Sequence, residues 1–311
     1  MLPLTLSPNS AFTSLIPTPE NRKVSGQVKL LIGREDVYAK TEKLVGEHAP
    51  SFFLWNPNEQ YEVALVSLTI EGSEQYNDKP AFPNSTMDLL LKIQPTRSDP
   101  TVNTKLTIQN FCPANTNVDI SQISEVLKYE DVTFQNMEPR SVLFMEDVLR
   151  RLLENNSVIR LEMTSCAISE MLLHTAKEIF SQNQCIRVTV NLPVFQDGYK
   201  VDTAFVLSLL DLWKSSEWTT EEKVMVFTPQ LHNGVLCDMA CRLRSKILRH
   251  SPLAFFVWHP NNEGIVIVNQ VVENNTEITK LRFRKRINSF GDNYFLRFLL
   301  SDTIPFTPYW V

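Results

Sequence analysis

Near the end of the chain, Thr279-Lys280-Leu281-Arg282-Phe283-Arg284-Lys285-Arg286-Ile287 alternates basic with largely apolar side chains. In a strand, successive side chains point to opposite faces, so Lys280, Arg282, Arg284 and Arg286 share one face. Four neighbouring cations repel one another and require counter-charge. An acidic partner, a nucleic-acid backbone or acids of an adjacent strand such as Glu273 and Glu277 would supply it. These four residues are the candidate partner-binding set. The plainer expectation is an edge strand kept soluble by its charge.

Other reactive residue types do not assemble into a reaction. Cys237 and Cys241 lie four apart in a stretch of helical period and share a face, a spacing that suits a metal if two further ligands converge. Burial as small apolar residues beside Leu236 and Leu243 is the favoured reading, because free cysteine is usually buried. His48, His174, His232, His250 and His259 are scattered, and Glu221-Glu222 is expected to be solvated at the start of a strand. Asp202 reads as the cap of a helix beginning near Thr203. With only 8 Gly there is no phosphate cradle, and neither Gly-x-Ser-x-Gly nor His-Glu-x-x-His occurs. No cofactor, no metal and no enzymatic activity are expected.

Elements must position whatever the charged strand meets. At 311 residues, 43% hydrophobic and 21% charged, the chain has the composition of a soluble globular protein with a core of its own. Its longest apolar runs are far short of the roughly 20 residues of a membrane span, and its first residues do not read as a secretory signal. Five cysteines, an odd number, do not describe a disulfide framework, so a reducing compartment, cytoplasmic or nuclear, is expected. The net charge of −5 is uneven: from Ala240 to Val311 there are ten Lys or Arg against five Asp or Glu, leaving twenty against thirty before it.

Two stretches read almost alike: His48-Ala49-Pro50-Ser51-Phe52-Phe53-Leu54-Trp55-Asn56-Pro57-Asn58 and, with one gap, His250-Ser251-Pro252-Leu253-Ala254-Phe255-Phe256-Val257-Trp258-His259-Pro260-Asn261. Each runs into a second apolar stretch, Val63 to Ile70 and Ile265 to Val272, so the repeated unit is predicted to be a β-hairpin. Equivalent His48 and His250, and equivalent Trp55 and Trp258, then have structural roles. The implied organisation is an extended lead-in over 1–26, a partial unit over 27–100 and a strand-helix domain over 101–311 that ends in the same hairpin. Within the partial unit the expectations are a strand at Val28 to Ile32, a helix at Asp36 to Val45 and a strand at Met87 to Ile93. The break falls near Thr96 to Asn103.

Beyond the break, Leu106-Thr107-Ile108-Gln109-Asn110-Phe111-Cys112-Pro113 is echoed by Val132-Thr133-Phe134-Gln135-Asn136-Met137-Glu138-Pro139. Looser copies start at Leu161 and Val188, at nearly the same interval, and a fifth strand near Val224 to Phe227 comes late. Between them lie helical-period runs, the first at Ile120 to Leu127 and the last at Leu236 to Leu248. The interval falls within the range of a leucine-rich repeat, roughly 20 to 29 residues. A strand followed by an amphipathic helix in each such unit predicts an α/β fold: a degenerate leucine-rich-repeat-like array with parallel strands. The repeat pattern wants Asn or Cys where these units carry Phe111, Met137, Cys166 and Pro193, so only the third obeys it. Ordinary βαβ units in one sheet are the competing description. Strands at Phe255 to His259, Ile265 to Val272 and Lys280 to Ile287 then predict an antiparallel meander that caps the array.

Strand-helix units closing on Phe255-Phe256-Val257-Trp258-His259-Pro260-Asn261 resemble the substrate-side regions of the expanded nematode F-box families. That resemblance implies target recognition for a cullin-type ubiquitin ligase. The adaptor of such a ligase stays open as a partner, although no Leu-Pro-led F-box segment is recognisable. The expected function is therefore a non-enzymatic protein-interaction module with a protein target. Nucleic acid on the basic face of Arg282 to Arg286, joined by Arg242, Arg244, Lys246 and Arg249, is the alternative, disfavoured by the overall acidity.

Overall fold

The computed structural model describes residues 22–33, 37–45, 61–72, 103–116, 128–191, 201–216, 218, 220–228, 231, 233–243, 254–258, 264–273 and 276–285. They form a mixed α/β fold built on one mostly parallel sheet. Its strands are β1 (Arg22–Ile32), β2 (Val37–Val45), β3 (Tyr61–Gly72), β4 (Lys105–Gln109), β5 (Asp131–Gln135), β6 (Arg160–Thr164), β7 (Arg187–Asn191), β8 (Glu222–Thr228), β9 (Ala254–Trp258), β10 (Gly264–Glu273) and β11 (Thr276–Lys285). The helices are α1 (Val142–Asn155), α2 (Glu170–Ser181), α3 (Thr203–Ser215) and α4 (Asn233–Leu243). The spatial order is β2-β1-β3-β4-β5-β6-β7-β8-β11-β10-β9.

From β3 to β8 the strands are neighbours in chain order and pair parallel. Their register aligns two apolar rows across six strands: Leu68, Leu106, Val132, Leu161, Val188, Met225, and Ile70, Ile108, Phe134, Met163, Val190, Phe227. None of these twelve side chains is more than 2% exposed. Residues of all four helices join both rows in one apolar cluster, among them Leu149, Ile179, Leu209 and Met239. The helices therefore pack on one face of the sheet. Each apolar stripe at helical spacing is buried against every second residue of the strands, which is how two incomplete amphipathic surfaces make one core.

Local chemistry sets each return from strand to helix. Asn110, Asn136 and Ser165 follow β4, β5 and β6 in the left-handed conformation, with φ of 50, 52 and 54°. Asn tolerates this region better than most side chains. Asn110 N–H donates to the Gln135 carbonyl at 3.0 Å and Asn136 N–H to the Thr164 carbonyl at 2.9 Å, extending the ladder by one bond per unit. The Gln-Asn echo of the sequence is this turn. Beyond it Phe111, Met137 and Cys166 point inward, at most 2% exposed. The Phe111 carbonyl accepts from the buried Ser141 Oγ at 2.7 Å, and the Met137 carbonyl from Ala167 N–H at 2.9 Å. Short 3₁₀ turns beginning at Pro113 and Pro139 follow, since Pro fits a helical start. Ser169 Oγ accepts from Leu172 N–H at 3.0 Å and Asp202 Oδ1 from Phe205 N–H at 2.8 Å, capping α2 and α3.

Several expectations are corrected. In place of the helix expected over Asp36 to Val45, Val37–Val45 is strand β2, paired antiparallel with β1, because Val37, Tyr38, Thr41 and Val45 suit extended backbone and β1 supplies the partner. The stretch Tyr61 to Ile70 lies in β3, which runs parallel to both β1 and β4, whereas its counterpart β10 is antiparallel to both β9 and β11. Phe52 to Trp55, the other half of the first hairpin, lies outside the described residues. So do Met87 to Ile93, Ile120 to Leu127, and His48, His232, His250 and His259. The sheet continues across the break placed near Thr96 to Asn103, since Leu68 and Leu106 are register partners. Gly72 ends β3 where a Cβ would strike the Asn110 carbonyl oxygen, so a side chain there would push the two strands apart.

The strands at Leu106, Val132, Leu161 and Val188 do lie side by side and parallel, with β8 next. The meander β9-β10-β11 extends the sheet antiparallel from β8. It is not bounded by the charged strand. β11 lies between β8 and β10, and among the described residues the edge strand at that end is β9.

Candidate interaction surface

The sheet face away from the helices carries the alternate residues of each strand. Three rows cross β4 to β7: Lys105, Asp131, Arg160, Arg187; then Thr107, Thr133, Glu162, Thr189; then Gln109, Gln135, Thr164, Asn191. Lys105, Gln135, Arg160, Glu162 and Arg187 are exposed, the other seven are half-buried, and none of the twelve is buried. Hydroxyls, amides and charges thus stand where the opposite face has Leu, Ile, Val, Met and Phe. At the β8-β11-β10 end the same face closes over: Val226, Ile265, Ile267 and Asn269 are at most 6% exposed.

Bonds on this face run both within and between strands. Asp131 accepts from Asn103 Nδ2 at 3.0 Å and lies 3.7 Å from Arg160, whose side chain remains 57% exposed. Arg187 Nε donates to Thr189 Oγ1 at 3.3 Å, and Thr164 Oγ1 to Glu162 at 3.1 Å. Cross-strand neighbours Arg160 and Arg187 are in register with no acid between them.

The basic strand behaves as its alternation predicts: Leu281 and Phe283 turn into the core, while Lys280, Arg282 and Arg284 take the helix-free face. Glu222 supplies counter-charge to Arg282 and Arg284. Glu222 Oε1 accepts from Arg282 Nε at 2.7 Å and from Arg284 Nε at 2.8 Å, so it is not a solvated acid. Burial raises its pKa, but the two guanidinium bonds outweigh this and hold the carboxyl below its ordinary value. Arg282 and Arg284 are only 20% and 13% exposed at the side chain, which leaves them less available than Arg160. Lys280 is register partner to Val226 and Asn269, and Arg286 lies outside the described residues.

Cys237 is exposed, not buried, because α4 turns Leu236 and Met239 inward and Cys237 falls between them on the outside. The Cys241 side chain is outside the described residues. Among those residues no three His, Cys, Asp or Glu side chains are grouped to hold a metal. His174 is on the surface of α2, 3.5 Å from Glu178. Of the nucleic-acid set, Arg242 pairs with Asp238 at 3.0 Å, and Arg244, Lys246 and Arg249 lie outside the described residues.

One buried charge escaped the sequence reading. Lys223, fully buried in β8, donates Nζ to the Phe180 carbonyl at 2.9 Å and the Gln182 carbonyl at 2.6 Å, at the C-terminal end of α2. Its Nζ lies 4.4 Å from the centre of the Trp218 ring, and Phe180, Trp218 and Phe283 meet edge to face around it, with centroids 5.4 to 5.5 Å apart. Burial pushes its pKa down to about 8, while helix-end carbonyls and the ring face favour the charged form. The signal is present in the strand phase: Lys223 shares the alternation of the inward Met225 and Phe227. With no exposed surface, this lysine braces the helix end against the sheet and has no route to a substrate.

No helix of the described residues is long and apolar enough to cross a membrane. No family model, no curated protein and no solved structure matches this chain.

Proposed function

We propose that this chain is a non-enzymatic protein-interaction module whose working surface is the helix-free face of β4 to β7. The observation that carries the reading is the contrast between the two faces in one register: two unbroken apolar rows beneath the helices, three polar rows opposite. A parallel sheet is ordinarily covered on both faces. Here none of the twelve side chains on the second face of β4 to β7 is buried, and a polar, accessible face suits a surface that binds in an extended array. The units recur at a nearly constant interval with a turn of common design, which supports a degenerate leucine-rich-repeat-like array. Target recognition for a cullin-type ubiquitin ligase is the specific role this reading favours, on the likeness of the strand-helix units and their closing hairpin.

The test places the photo-crosslinking residue p-benzoylphenylalanine at Thr133 or Gln135 on the open face, and at Arg150 on α1 as a control. Reproducible adducts with one protein from the two open-face sites, and none from Arg150, are expected. Adducts from Arg150 alone, or turnover of a small molecule by the purified chain, would overturn the proposal. Recovery of a ligase adaptor in the same capture would support the ligase role.

A further inference from the structure

We infer that the helix-free face takes an acidic, extended segment of a partner protein, gripped by Arg160 and Arg187; the inference rests on the interaction reading above. On this face of β4 to β8 and β11, six basic residues (Lys105, Arg160, Arg187, Lys280, Arg282, Arg284) stand against three acids (Asp131, Glu162, Glu222), and Glu71 of the adjoining β3 is a fourth, which leaves an excess of two positive charges. The whole chain carries −5. The face therefore opposes the charge of the molecule that bears it.

Like charges directly opposite one another in a sheet are destabilising, and Arg160 and Arg187 are such a pair. Glu222 occupies Arg282 and Arg284, and Asp131, already bonded to Asn103, meets Arg160 only at 3.7 Å. The unmet demand for anions is thus centred on β6 and β7. Two exposed arginines in register on adjacent strands, whose backbones lie about 5 Å apart, suit carboxylates carried on an extended backbone. Arginine binds carboxylate in a planar fork of two hydrogen bonds. The hydroxyls and amides of the two adjoining rows offer partners for the backbone of such a segment. A protein segment is favoured over nucleic acid because no aromatic side chain of these strands stands on this face to stack a base.

Fluorescence anisotropy with the full chain and a labelled ten-residue peptide of alternating Glu and Ser tests this directly. Binding at low salt that weakens as salt rises is expected, with at least a tenfold loss in Arg160→Gln/Arg187→Gln and none in Arg150→Gln. A Lys-Ser peptide of equal length and a ten-nucleotide single strand of DNA serve as counter-probes and are expected not to bind. No binding of the acidic peptide, binding indifferent to the double substitution, or tighter binding of the DNA would overturn the inference. If the Thr133 crosslinker still captures its partner from the double variant, acidic recognition fails while the interaction module stands. If neither open-face crosslinks nor peptide binding are found, both fail.

Discussion

Lys223 Nζ lies 4.4 Å from the centre of the Trp218 ring, a fully buried ammonium set against an aromatic face and tied to the last carbonyls of α2. The lysine replaces solvent at a helix end that the sheet has covered. A buried carbonyl left without a donor costs about 1 to 3 kcal/mol.

The pH dependence of stability should reveal this lysine. Its folded pKa of about 8 lies below the ordinary 10.5, so between those values the unfolded chain binds more protons and stability rises with pH. Burial raises the Cys166 and Cys185 thiols to about 11 and 12, which acts in the opposite sense above pH 9. Urea unfolding of the wild type and Lys223→Met, compared from pH 7 to 9, separates the two. The advantage of wild type over variant should grow across that range. A constant difference would show that the lysine does not change protonation there.

The two sheet faces should respond differently to truncation. Leu161 is 1% exposed in the middle of the first apolar row, and Leu161→Ala should cost about 2 to 5 kcal/mol. Its neighbour Glu162 is exposed on the other face, and Glu162→Ala should change stability by no more than about 0.5 kcal/mol. Denaturant midpoints measure both. Equal effects would contradict the one-sided core.

Glu222 should be required by the two arginines it serves. Its folded pKa is lowered, so its contribution is whole above the ordinary 4.5 and is lost as pH falls below that value. Glu222→Gln should lower stability by about 1.5 to 3 kcal/mol near neutrality, the range for hydrogen bonds to charged groups. The variant should also lose less stability than wild type between pH 6 and 3. Thermal unfolding across that range is the measurement, and parallel curves would show that Glu222 does not titrate as part of the cluster.

The near-constant interval that separates Leu106, Val132, Leu161 and Val188 is enough to predict a strand in each unit, a helix after each of the last three, and the inward strand residues. Periodicity is written into each segment, because a strand or helix must show one apolar side whatever it packs against. The Asp202 cap is legible for a similar reason: its bond to Phe205 N–H is local in the chain. What depends on distant partners is not legible. Val37–Val45 is a strand because β1 lies open to it, and β11 is an interior strand because β8 and β10 flank it. Arg282 and Arg284 meet Glu222, far back in the chain. Lys223 looks like one more charge until α2 ends over it. Local pattern determined which side of each element is apolar; only the tertiary structure decided which elements lie side by side, because burial rewards any well-matched neighbour and the chain's order does not name it.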